Sequence, residues 1–282
     1  FGVPHSVHDL EFSSDGRYLV LALDAEDQGN VMVMDFEGKT ARTLHGHIQG
    51  VRAVAFHPDG KRFATGALNG VFKIWNAVES KVVGAVGAIT IADAPLHASM
   101  PGVVLAENFS DNALEWELDD DEEEYQSVQN GVYMIRFADE ESGTFVWNNC
   151  PIEESKDFRI ATRISHVRGV DDSGYGLLWG LKDINNCFGF EITANGHFRI
   201  YKETDEGVTE LVDWTETDAV KTGNEIHLLS IEKKGDQMTF YINSKQIHQM
   251  PFQPFLGNQV GFSVWSDQFI LVDYVYAIQG GE

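Results

Sequence analysis

HGHIQGVRAVAFHPDGKRFATGALNGVFKIWN, residues 45–76, is the stretch whose reading decides the fold. Its apolar and polar residues alternate with the period of two expected of half-buried strands, and Asp59-Gly60 and Asn69-Gly70 supply hairpin-turn chemistry between them. The stretch reads as one four-stranded antiparallel sheet. A sheet this small cannot bury its two faces alone, so it needs neighbours.

One neighbour lies upstream, at a spacing near 44 residues. Val7, Leu10, Phe12 and Asp15-Gly16 align with Val51, Val54, Phe56 and Asp59-Gly60. Further on, Gly29 to Asp35 answers Asn69 to Asn76 after an insertion of about three residues around Ala25-Glu26-Asp27. The second unit resembles a WD repeat, with Gly46-His47 at its opening and Trp75-Asn76 at its close. That resemblance implies a hydrogen-bonded chain in which His47, Thr65 and Trp75 pin the strands together, with Asn69 standing where Asp is expected and able to accept through its carbonyl oxygen. The first unit departs further, with Met34-Asp35 in place of Trp-Asp. His47 is therefore expected to be a satisfied core histidine. His45-Gly46-His47 lacks a third ligand for a metal, and Gly38-Lys39-Thr40 lacks the upstream Gly of a phosphate loop.

The chain has 282 residues and a net charge of −24. Residues 1–90 hold ten acids against eight bases, a balance of −2, which leaves −22 for the rest. So acidic a second part repels phosphate backbones and anionic membranes, which argues against nucleic acid as a partner. No apolar run is long enough for a membrane span, and the N-terminus has no basic or apolar signal region; a processed product or a piece of something longer is expected from the absence of an initiator Met. Cys150 and Cys187 are expected to be buried free thiols, although their spacing also permits a bridge. Compartment is left open between the cell surface or exterior and the cytoplasm.

Residues 91–104 read as a connector, with Met100-Pro101-Gly102 near its end and one more strand conceivable at Ala88–Ile91. Residues 105–282 carry a new pattern, a series of strands with period-two alternation: Phe158, Ile160, Thr162 and Ile164 on one face, Arg159 and Arg163 on the other. Two packed antiparallel sheets of about five to seven strands each are expected. Asn108-Phe109-Ser110-Asp111, Gly174 to Gly180, Met238 to Asn243, Val260-Gly261-Phe262 and Val272 to Val275 resemble phrases of the concanavalin-like, laminin-G-like jelly roll. The fold class is thus all-β: two WD-type four-stranded propeller blades over residues 1–90, joined to an antiparallel β-sandwich.

The resemblance implies a carbohydrate- or protein-binding module, or a glycoside hydrolase. A retaining hydrolase needs two carboxylates about 5 Å apart. Glu117 to Glu122 has the Glu-x-Asp-x-x-Glu letters, but Asp120 and Asp121 replace the apolar residues between them, so the segment reads as a solvated acidic loop. Calcium is the one cofactor that Asp119, Asp120, Asp121 and Glu122 could hold, although no EF-hand spacing orders them. Trp147, Tyr175, Trp179, Tyr201 and Trp214 are candidate platforms for sugar rings, with Asp183, Asn185 and Arg199 as hydrogen-bonding partners. Asn108-Phe109-Ser110 is a glycosylation triplet. No nucleophile elbow or nucleotide loop is present, so the expectation is a non-enzymatic recognition, adhesion or scaffolding protein; the alternative is a carbohydrate-active enzyme with scattered acids. Partners are expected to be other protein chains or further blades, from elsewhere in a longer protein or from copies of this chain in a ring or filament, and carbohydrate is a second class.

Overall fold

The computed structural model describes residues 6–24, 31–44, 47, 50–67, 72–79, 81–86, 102–129 and 131–280, with backbone alone for Asp24 and 81–86. Contacts divide the chain into two units, Phe1–Ala94 with Gln129–Val132, and Pro95–Val128 with Tyr133–Glu282. Every regular element among the described residues is a strand, and no helix there is long and apolar enough to cross a membrane.

The first unit holds two four-stranded antiparallel sheets. Sheet I runs β1 (Ser6–Phe12), β2 (Tyr18–Asp24), β3 (Val31–Asp35), β4 (Thr40–Leu44), and sheet II runs β5 (Val51–Phe56), β6 (Arg62–Ala67), β7 (Phe72–Asn76), β8 (Lys81–Val86), each in simple sequence order. The quoted stretch 45–76 therefore contains three strands of sheet II, not four: the chain turns at Asn76, whose carboxamide oxygen accepts from the amides of Val78 and Glu79, and the fourth strand follows at Lys81. Ala25-Glu26-Asp27, Asn69-Gly70 and Ala88–Ile91 lie outside the described residues.

The repeat is structural as well as textual. In the first hairpin Ser13 N bonds Tyr18 O and Gly16 N bonds Ser13 O; in the second His57 N bonds Arg62 O and Gly60 N bonds His57 O. Gly16 and Gly60 sit at φ 71° and 67°, the left-handed region these turns demand. A buried cluster joins the sheets, with Tyr18, Val20, Ala22, Val31, Val33 and Leu44 of sheet I against Val51, Val54, Phe63, Trp75 and Ala77 of sheet II.

The second unit is a sandwich. Its strands are β9 (Val103–Glu107), β10 (Asp119–Asp120), β11 (Glu124–Gln129), β12 (Val132–Phe137), β13 (Gly143–Asn149), β14 (Phe158–Gly169), β15 (Tyr175–Asp183), β16 (Asn186–Ile192), β17 (His197–Thr204), β18 (Gly207–Glu216), β19 (Ile226–Lys234), β20 (Gln237–Ile242), β21 (Lys245–Pro251), β22 (Gln259–Trp265) and β23 (Gln268–Gln279). A nine-stranded sheet is ordered β10-β11-β12-β23-β14-β19-β20-β21, with β9 also pairing β23; a six-stranded sheet is ordered β13-β22-β15-β16-β17-β18. The long β23 serves two partners along one edge, β12 over Gln268–Val272 and β9 over Val275–Ile278. The larger sheet exceeds the expected five to seven strands by β9, which begins at the end of the connector, β10, which lies in the acidic run, and β11, which follows that run. One core lies between the sheets, centred on Trp179, Phe188, Phe190, Phe240 and Phe262 with Phe109, Trp116 and Tyr133 at one side.

Candidate functional site

In sheet II the buried His47 ring nitrogen Nε2 lies 2.6 Å from Thr65 Oγ1, and Trp75 Nε1–H donates to the same oxygen at 2.7 Å. Burial, with the charge of Lys73 second, pushes the His47 pKa down to about 3, so the imidazole is neutral and its Nε2 can take the Thr65 hydroxyl proton in a hydrogen bond. Trp75 stacks on Phe63 at 6.1 Å, with planes 6° apart. Asn69 lies outside the described residues.

The two sheets can be compared position by position, because Glu11↔Val20↔Val33 and Asp9↔Ala22↔Val31 in sheet I recur as Ala55↔Ala64↔Ile74 and Ala53↔Gly66↔Phe72 in sheet II, with a register shift at the same place in β1 and β5. Val20, Ala22, Val31 and Val33 are buried against sheet II. Their counterparts Ala64, Gly66, Phe72 and Ile74 form the far face of sheet II, where Phe72 is 43% and Ile74 37% exposed. Among the described residues, the face of sheet II that corresponds to the covered face of sheet I thus carries exposed Phe72 and Ile74 beside half-buried Ala64 and Gly66. On the opposite side of sheet I, Leu21, Leu23, Met32 and Met34 are buried.

The sandwich has its own polar centre, on the face of the six-stranded sheet that points away from the core. Glu191 of β16 is fully buried there. Its Oε1 accepts from Ser263 Oγ at 2.7 Å, Trp265 Nε1 at 2.8 Å and Tyr201 Oη at 3.0 Å. Its Oε2 accepts from Arg199 Nε and Nη2, both at 2.8 Å. The Arg199 guanidinium lies 4.5 Å from the Tyr201 ring centroid and 4.8 Å from that of Trp214, while its Nη1 reaches Glu210 at 3.3 Å. Burial first, and the Glu191 charge second, hold the Tyr201 hydroxyl well above its ordinary pKa. Two strands, β17 and β22, thus lend donors to one carboxylate, and Trp214 of β18, 37% exposed, covers the arginine. Large rings cover glycines on this face: a Cβ on Gly189 would stand 2.1 Å from Tyr201 Cε1, and one on Gly143 2.7 Å from Trp265 Cε3.

Of the predicted platform, Arg199, Tyr201 and Trp214 come together around Glu191, and half-buried Trp147 lies on the same face beside Leu178, Leu181, Cys187 and Tyr201. Tyr175 and Trp179 do not belong to it. Both lie in the core, where Tyr175 stacks on His166 and Trp179 on Phe188 at 5.3 Å, so neither offers a ring face to a ligand. Asp183 and Asn185 form the β15–β16 turn, with Asp183 Oδ1 accepting from Asn185 N and Asn186 Nδ2. Five residues of strand separate that turn from Glu191, roughly 17 Å. The sequence reading missed Glu191. The signal for it was the Asn195-Gly196 turn, which folds β16 onto β17 and sets Glu191 opposite Arg199.

The acidic run closes a hairpin, with Asp120 to Glu123 exposed to solvent. Asp119 and Asp120 pair with Gln126 and Tyr125, and Asp121 Oδ1 accepts from the amides of Glu123 and Glu124, closing a hairpin. Among the described residues no three His, Cys, Asp or Glu side chains are grouped to hold a metal ion, which for Asp119, Asp120, Asp121 and Glu122 leaves calcium without a chelating arrangement. Cys150 and Cys187 are free and buried, each pushed up to about 12 by burial.

Residues 38–76 match the family described as WD domain, G-beta repeat. The match starts beside β4 and ends with β7, so the repeat is staggered across sheets I and II. The chain is 35% identical over 74 residues to the human intraflagellar transport protein 122 homolog and 39% identical over 74 residues to its Xenopus tropicalis counterpart; each match covers 26% of this chain and 6% of the relative. The chain thus spans about one-sixteenth of the length of these curated relatives. Among solved structures it is similar to the carbohydrate-binding module CBM66 from Bacillus subtilis, at 16% identity and TM-score 0.45 over 58% of this chain and 94% of that one. It is also similar to the CBM2 module of the evolved Dit of Lactobacillus casei BL23 phage J-1, at 12% identity and TM-score 0.47 over 64% and 97%.

Proposed function

We propose that this chain is a non-enzymatic recognition protein whose leading sheets act as propeller blades and dock against further protein sheets. The observation that carries this reading is the open face of sheet II: the positions that sheet I buries against its neighbour are exposed there as Phe72 and Ile74. Blades are stabilised by stacking, so such a face favours a partner. The local likeness to WD repeats and to an intraflagellar transport protein is in keeping with protein partners. The test is a thiol footprint of an Ile74→Cys chain, in which both native cysteines are buried. Slower alkylation of Cys at position 74 inside the cells that make the protein than in the purified chain supports docking; equal rates refute it.

The sandwich, taken as a concanavalin-like, laminin-G-like jelly roll that follows a connector at 91–104, supplies a second reading. Trp214 lies exposed over an arginine that Glu191 holds in place, which favours a neutral sugar ring stacked on the indole. Glu191 itself is committed to five hydrogen bonds, which supports a structural role over proton transfer. Titration with neutral oligosaccharides checks the reading: binding lost in Trp214→Ala supports it, and no binding across the panel refutes it.

A further inference from the structure

Residues 107–125 carry ten acids and no Lys or Arg. Six of them, Asp119 to Glu124, fall on the hairpin of β10 and β11, and among the described residues none of these six carboxylates forms an ion pair. Arg136 does reach the hairpin, but its Nη2 donates to the carbonyl oxygens of Asp121 and Glu122, at 3.4 and 3.0 Å.

One face of the hairpin holds more than charge. Asp119 stands directly opposite Gln126 in the ladder, and Glu124 precedes Gln126 by two residues on β11, so the three side chains share a face. Gln126 is 2% exposed. Its Nε2 donates to Glu124 Oε2 at 3.1 Å and to Thr144 Oγ1 at 3.4 Å, while the Thr144 hydroxyl donates to the same carboxylate oxygen at 3.3 Å. These bonds fix which end of the carboxamide is which, because the amide turned over would set its oxygen against a carboxylate. The other atom, Oε1, is buried and meets no donor. Nε2 and Oε1 belong to one small planar group, so this oxygen lies beside the Glu124 carboxylate as well. Burial raises the Glu124 pKa; the Thr144 hydrogen bond opposes that shift, and the charges of Asp119, Asp121 and Glu117 add to it. A buried acceptor without a donor, set among carboxylates that repel one another, calls for a cation that carries N–H groups. A bare metal ion suits the place poorly, since among the described residues no three His, Cys, Asp or Glu side chains are grouped to hold one. Leu118, which directly precedes Asp119, is 56% exposed, so the complementary surface is apolar as well as basic.

We propose that this hairpin binds a basic segment of another protein, with one lysine or arginine side chain of that segment seated against Glu124 and Gln126 and an apolar one against Leu118. The surface uses neither sheet II nor Trp214, so it stands or falls independently of both readings above.

The experiment is a fluorescence-anisotropy titration of the full chain with a fluorescein-labelled dodecapeptide of lysine, leucine and glycine, beside a peptide with glutamine in place of each lysine. The expected result is binding of the lysine peptide alone, weakened as salt rises. Asp119→Asn/Glu124→Gln keeps the shape and an acceptor oxygen at both positions and is expected to weaken binding about tenfold, the share of one hydrogen bond to a charged group. Gln126→Leu changes no charge and is expected to weaken it about fivefold. The exposed turn between β17 and β18 supplies the control, in which Asp205→Asn/Glu206→Gln makes the same change of net charge and leaves affinity within about twofold. Melting temperatures of all three variants confirm that each is folded. No binding of the lysine peptide overturns the proposal, and equal weakening by the control pair reduces it to the charge of the whole chain. Unchanged affinity in Gln126→Leu overturns the seat beside the carboxamide. Calcium that raises the melting temperature of the parent but not of Asp119→Asn/Glu124→Gln makes the occupant a metal ion and overturns it equally.

Discussion

Replacing Glu191 by Ala removes the acceptor for five hydrogen bonds on the outer face of the six-stranded sheet. The Ser263 hydroxyl is fully buried and the Arg199 side chain only 17% exposed, so neither can turn to bulk water for compensation. Breaking a buried ion pair from one side costs about 3–5 kcal/mol, and the orphaned Ser263 hydroxyl adds about 1 kcal/mol. Relaxation of Trp265 and Tyr201 towards solvent returns part of that, so the expected loss is about 4 kcal/mol. Urea unfolding followed by tryptophan emission reads it well, because five of the six tryptophans (Trp116, Trp147, Trp179, Trp214 and Trp265) lie in the sandwich. The double variant Glu191→Leu/Arg199→Met removes both charges and is expected to recover more than half of the loss, as apolar replacements of buried pairs do. A loss below about 1 kcal/mol for Glu191→Ala would refute the view that this carboxylate organises the face.

Thr65→Val leaves His47 and Trp75 without their shared oxygen and is expected to cost the first unit about 2 kcal/mol, seen as a lower urea midpoint for the Trp75 signal; an unchanged midpoint counts against the chain of bonds. Stability should fall on acidification: burial holds His47 at about 3 and His227 at about 4, so the unfolded chain binds their protons first. Their contribution is complete above about 6.5 and declines as pH drops towards 4; a melting temperature that holds steady over that range, or a His227→Gln chain with the same profile, contradicts this. Trp179→Ala should destabilise the sandwich by about 3–5 kcal/mol, whereas Trp214→Ala should cost under about 1.5 kcal/mol, with calorimetry distinguishing the two.

The alternation of Phe158, Ile160, Thr162 and Ile164 was legible because one face of β14 is buried along its length, as was the repeat of matched turns in sheets I and II. Other features were not. β18 carries Glu210, Asp213 and Glu216 and is mostly exposed, so no apolar alternation marks it as an edge strand. β9 is short and starts directly after the letters Pro101-Gly102, so its first two residues read as linker. Tyr175 and Trp179 lie in a run, Tyr175 to Leu181, where both faces are buried, so period alone does not say which one meets the core. The register then shifts partway along, between Trp179 and Asp183 against β16 and between Leu178 and Leu181 against β22. Among the site residues, Arg199, Tyr201 and Trp214 were found as residue types, while the acid that gathers them was masked by the apolar strand around it.

The ring of Tyr201 occupies the space where any side chain at position 189 would begin. Drift at these two sites is therefore coupled: alanine at 189 is admissible only after the ring at 201 has gone, and losing the phenol takes one of the five hydrogen bonds from the carboxylate at 191. Descendants of this sequence should accordingly keep glycine at 189 wherever 201 carries an aromatic ring, a signature of inheritance that could be sought before any ligand is known.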